Sequence, residues 1–65
     1  MISIRKLWEQ IRAKQDALIA ESNYGESFEA LADLIQYLDE NKEYDDEVLL
    51  DLIRINNISL KEVQE

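Results

Sequence analysis

Residues 44–57 read Tyr44-Asp45-Asp46-Glu47-Val48-Leu49-Leu50-Asp51-Leu52-Ile53-Arg54-Ile55-Asn56-Asn57. Asp45 is a good N-cap, because its short carboxylate accepts the unpaired backbone N–H groups of a first helical turn. Tyr44 and Leu49 then fall at the two positions of a hydrophobic staple. At ~100° per residue, Val48, Leu49, Leu50, Leu52, Ile53 and Ile55 form an apolar arc about 220° wide. An ordinary surface helix needs a stripe of only ~100° or a little more. The spacing predicts a helix from near Asp45 to about Asn56 that touches neighbours on two sides.

Upstream lies an acidic linker, Asp39 to Glu47, in which six of nine residues are carboxylates. Before it, Phe28, Leu31, Ala32, Leu34, Ile35 and Leu38 share one face of a helix expected over about Ser27 to Glu40. Glu26 and Glu29 suit the positive end of that helix dipole. The first helix is expected from about Ile4 to Ser22. Ile4, Leu7, Trp8, Ile11, Leu18 and Ile19 make a stripe about 120° wide on it, with the polar Gln15 in its middle. Asn23-Tyr24-Gly25 ends that helix, with Gly25 expected in the left-handed conformation. Downstream, Asn56-Asn57 breaks the third helix. Ser59-Leu60-Lys61-Glu62 reads as a capping box, with Ile58 and Val63 as its staple, so a short fourth helix is expected. The fold class that follows is all-α: one helical domain over residues 1–65, a small bundle of three helices plus a short C-terminal helix.

The composition excludes more than it assigns. The 65 residues include no Cys, no His, no Pro and one Gly. Disulfides, thiolate nucleophiles, the usual structural zinc sites and His-based triads are all impossible. The formal charge is −8 and the pI near 4.3. That opposes binding to a nucleic-acid backbone or to an anionic membrane. The longest apolar run is four residues, Ala17-Leu18-Ile19-Ala20, so nothing is expected to span a bilayer. The N-terminal residues lack the apolar core of a signal peptide, and a cytoplasmic protein is the default expectation.

Three segments carry motif-like patterns. Asp39, Asn41, Glu43 and Glu47 match positions 1, 3, 5 and 9 of a Ca²⁺ loop, but Tyr44 replaces its Gly and Leu50 its bidentate Glu. No metal or cofactor is expected. Glu29-Ala30-Leu31-Ala32-Asp33-Leu34 resembles the Glu-Leu-Ala-Asp motif of the all-α MazG-type nucleotide pyrophosphohydrolases, and Ile58 to Val63 resembles their later helix start. Glu29 and Asp33 are four apart where the family has three, Ala30 stands at a Glu position, and Glu9 is followed three residues on by Arg12. The resemblance implies at most a degenerate relative of a Mg²⁺-dependent enzyme, and no activity is carried over. Asn57 to Val63 resembles the turn and second helix of a helix-turn-helix. That implies a small DNA-binding regulator as an alternative, against which the acidic charge stands.

Charge asymmetry is the most informative signal. Residues 1–22 carry a net +1 and residues 23–65 a net −9. Arg5 and Arg12 lie two turns apart on one flank of the first helix, beside Trp8. The simplest expectation is that they pair with the acidic second and third helices or pack over Trp8. The sharper one is a contact patch, since Trp and Arg are favoured interface anchors. The remaining contact candidates are Tyr37, expected to be exposed opposite the apolar face of its helix, and Glu43, Tyr44, Asp45, Asp46 and Leu50. Gln15 and the wide third helix together suggest a homodimer. The expected function is non-enzymatic: a small acidic protein-binding module, a regulator or inhibitor of a larger protein, with a basic, nucleic-acid-binding partner the best match in charge.

Overall fold

The computed structural model describes all residues, 1–65, as three helices and a terminal turn. Helix α1 spans Ile4–Ala20, α2 Glu26–Glu40 and α3 Asp46–Ile55. A single 3₁₀ turn, Leu60–Val63, follows. Helix α2 packs against both α1 and α3, while the 3₁₀ turn packs on α1. No helix is long and apolar enough to cross a membrane.

The caps explain where the helices start. The Ser3 hydroxyl accepts from the Lys6 N–H at 3.3 Å and starts α1. Asp45 caps α3 as its sequence predicts, its carboxylate accepting from the Glu47 and Val48 N–H groups. Asp45→Ala is expected to lower stability by about 1 kcal/mol, measured as a shift of the urea midpoint at unchanged slope. Tyr44 packs against the core that contains Leu49, consistent with the staple.

Helix ends depart from expectation. Helix α1 stops at Ala20, and the left-handed residue is Ser22 at φ 54°, not Gly25 at φ −86°. The Ser22 and Asn23 N–H groups turn back to the Ile19 and Leu18 carbonyls, satisfying the open end of the helix. Gly25 instead stands at the N-cap of α2, which begins at Glu26, one residue earlier than the spacing predicts. At the end of α3, Asn57 takes the left-handed conformation, φ 56°.

The C-terminal helix is one 3₁₀ turn without a capping box: the Ser59 side chain makes no cap bond. The chain end is committed elsewhere. Ile2 and Gln64 form an antiparallel bridge, the Ser3 N–H donates to Val63 O at 2.6 Å, and the Glu65 N–H donates to Met1 O at 3.2 Å. Lys6 Nζ adds a bond to Gln64 O at 2.8 Å. These pairings hold the chain extended at residue 64, so the helix cannot continue past Val63.

The core is Leu7, Ile11, Leu18, Leu31, Leu34, Leu38, Leu49, Ile53 and Val63. Ile2, Ile4, Trp8, Phe28, Ile35, Tyr44, Leu52 and Ile58 pack around it. The wide arc of α3 is only partly covered: Leu50 and Leu52 are half-buried, and Ile55 remains 62% exposed. Ala32, expected on the core face of α2, is exposed.

One polar residue ties the three helices. Asn56 is 2% exposed. Its Nδ2 donates to Ala30 O of α2 at 3.1 Å and to Leu52 O at 2.8 Å. Its backbone carbonyl accepts from Lys14 Nζ of α1. The ammonium sits where the carbonyls of α3 end, the favourable pole for a cation.

Candidate functional site

The largest concavity is an open groove of about 500 Å³ between α1 and α2. Arg5, Trp8, Glu9, Ile11, Arg12 and Gln15 line it from α1, and Ile35 and Asp39 from α2. Three of the sequence candidates, Arg5, Trp8 and Arg12, therefore share one surface. The helical repeat places them there: Trp8 and Arg12 are one turn apart, and Arg5 stands one turn before Trp8.

The expected internal pairing of the arginines is not what the structure shows. Its one ion pair is Arg54 with Asp51, 3.7 Å apart on the exposed side of α3. Arg5 and Arg12 are exposed, with no carboxylate within 4 Å. The lysines of α1 do make internal bonds: Lys6 and Lys14 donate to backbone carbonyls. Gln15 is half-buried at the groove and makes no side-chain hydrogen bond within the fold.

The other candidates lie apart from the groove. Tyr37 is half-buried and not a free surface ring, because its hydroxyl accepts from the Asp45 N–H at 2.9 Å. Its ring centroid stands 6.2 Å from that of Tyr44. The Tyr44 hydroxyl in turn donates to Leu38 O at 3.2 Å. Asn41 Nδ2 donates to Tyr37 O at 2.8 Å. These bonds fasten the acidic linker to the end of α2 and leave Glu43 exposed on it. Asp46 and Leu50 lie on α3 and line a separate hollow of about 220 Å³ with Met1, Ile2, Leu60 and Gln64. The nine candidates thus divide among three places.

Sequence reasoning missed the second wall of the groove. The spacing puts Ile35 on the core face of α2, and Asp39 both in the last turn of that helix and at the start of the acidic linker, without joining either to the groove. Their i, i+4 spacing on that helix was the available signal.

The alternative readings meet specific obstacles. The segment resembling a recognition helix is one 3₁₀ turn whose Val63 is fully buried on the fold, so no free helix is presented to a DNA groove. Glu26, Glu29 and Asp33 are exposed on α2, and no three carboxylates of the chain converge as a metal ligand set. No family model matches this chain, and neither a curated protein nor a solved structure matches it.

Proposed function

We propose that this chain is a non-enzymatic protein-binding module of the cytoplasm, a small acidic regulator or inhibitor that docks on a larger protein through that protein's basic, nucleic-acid-binding surface. The observation that carries this reading is the unspent charge: of 15 carboxylic side chains, only Asp51 has a cation within 4 Å. Apart from Asp45, which caps α3, and Glu40, which accepts from Gln36 Nε2, the remaining carboxylates make no side-chain bond inside the fold. Unpaired, they steer a basic partner and raise its association rate, an effect screened beyond about 8 Å at physiological salt. The Tyr37–Tyr44–Asp45 bonds support the same reading. They hold the acidic end in one arrangement, which lowers the ordering cost on binding.

The test is affinity capture on the immobilised chain from a native extract, followed by measurement with the purified captured protein. The expected partner is basic and releases at about 0.5 M salt, where the screening length is only a few ångström. It should also be lost on the triple change Glu43→Lys, Asp46→Lys, Glu47→Lys, all exposed positions. A captured protein indifferent to both salt and the triple change, or none at all, refutes the acidic-docking reading.

A further inference from the structure

The groove calls for a different occupant from the acidic end. We propose that it receives a second copy of this chain, with the α1–α2 faces of two protomers opposed in a two-fold dimer. The inference extends the binding reading above and stands without the basic partner.

Charge is the first reason. The chain carries −8, yet the charged residues lining the groove are Arg5 and Arg12 against Glu9 and Asp39, a balanced set. All four are exposed and none is in an ion pair. A uniformly acidic or basic partner would meet repulsion as well as attraction there. A partner showing both signs on a face of the same size removes that conflict. The chain's own face does so, because an isologous interface sets each patch against its own copy. The mutual repulsion of two −8 chains also disfavours any contact made through the acidic end and leaves this neutral face as the electrostatically cheapest one.

Gln15 is the second reason. It lies half-buried at the groove among Trp8, Ile11 and Ile35, with no hydrogen bond inside the protomer. Near a two-fold axis, the amide of its symmetry mate supplies both a donor and an acceptor. A lone polar residue in an apolar seam is also the device by which helical assemblies fix register. The apolar flank continues beyond the groove: at ~100° per residue, Ile19 falls between Trp8 and Arg12 on the helical wheel. It is 48% exposed.

Trp8 is the only Trp, so its emission reports on the groove directly. The purified chain alone is studied by light scattering and Trp fluorescence from about 1 μM to about 1 mM, the span of ordinary transient affinities. The mass should rise from one chain to two, with a blue shift of Trp8 emission along the same curve. Two charge variants complete the test: Arg5→Glu with Arg12→Glu, and Glu9→Lys with Asp39→Lys. Each alone should weaken dimerisation at least about tenfold, and their equimolar mixture should recover it, since opposed like charges cost several kcal/mol across an interface. Unchanged circular dichroism shows that each variant is folded. A wild-type chain that stays monomeric throughout overturns the proposal. So does a dimer that both variants leave intact, which would place the interface elsewhere, as at the Leu50–Leu60 hollow. Neither outcome touches the acidic-docking reading, which is measured on other residues with another protein.

Discussion

Leu34→Ala should remove roughly half of the chain's folding stability at 25 °C. Leu34 is fully buried on α2, the helix that packs against both others. No backbone hydrogen bond joins α2 to α1 or α3. It is held in place by burial of Leu31, Leu34 and Leu38, and by the Asn56 side-chain bond to Ala30 O. Truncating a buried Leu to Ala costs ~2–5 kcal/mol, since the methyl groups lose their burial and the cavity closes only partly. At ~0.05–0.15 kcal/mol per residue, a domain of this length has only about 3–10 kcal/mol in total. One side chain thus accounts for roughly half of the whole stability. Far-UV circular dichroism through a urea titration measures it, and a midpoint equal to wild type would show that Leu34 is not at the centre of the core.

Asn56→Asp should give the second large effect, with a distinctive pH dependence. The change is nearly isosteric. It replaces an amide that donates to Ala30 O and Leu52 O with a carboxyl group that, once ionised, turns only acceptors toward two carbonyl oxygens. Burial at 2% exposure adds desolvation. Both effects disfavour the ionised form, so the new carboxyl has a folded-state pKa above its unfolded value of about 3.9. Lys14, bonded to the Asn56 carbonyl, offsets part of this. The sign follows from proton linkage. Between the two pKa values the folded state binds more protons, so stability falls as pH rises. The deficit relative to wild type should be smallest below about pH 4, grow through the folded pKa, and level off above it at ~3 kcal/mol or more. Asn56→Ala loses the same two bonds without a charge, and its cost of ~1–3 kcal/mol should not change with pH. Urea midpoints of both variants at a series of pH values decide the matter. A flat, small difference for Asn56→Asp would mean that the amide does not tie the helices together.

Most of the fold was legible because it rests on local chemistry. The 3.6-residue period identified all three helices, and their boundaries fall within about two residues of expectation. Asp45 caps α3 because an N-cap needs only neighbours two and three residues away. The errors share one cause. Gly25 was the residue freest to adopt positive φ, but the chain turned earlier, at Ser22, where closing the end of α1 required it. Ser59-Leu60-Lys61-Glu62 has the letters of a capping box, but pairing with residues 1–3 draws the following residues into an extended strand. Tyr37 has an outward position on its helix, yet the linker folds back and the Asp45 N–H takes its hydroxyl.

The candidate site divides the same way. Trp8, Arg5 and Arg12 could be grouped from one helix alone, since their spacing fixes a shared flank. Ile35 and Asp39 could not be added without knowing which side of α2 faces α1. Whether Arg5 and Arg12 were paired was also beyond the sequence, because ion pairs between helices depend on distances of a few ångström.

Legible without any tertiary information are the helical content, the Asp45 cap of α3, the absence of His and Cys chemistry, and the unequal charge of the first helix and the rest. These depend on residue type and near neighbours. Folding in three dimensions settles the rest: that the chain ends clasp each other, that Asn56 links three helices, that the lysines of α1 are engaged while its arginines stay free, and that a charge-balanced groove opens between α1 and α2. Each joins residues distant along the chain. Such contacts are set by how the apolar faces close on one another, which periodicity constrains but does not specify.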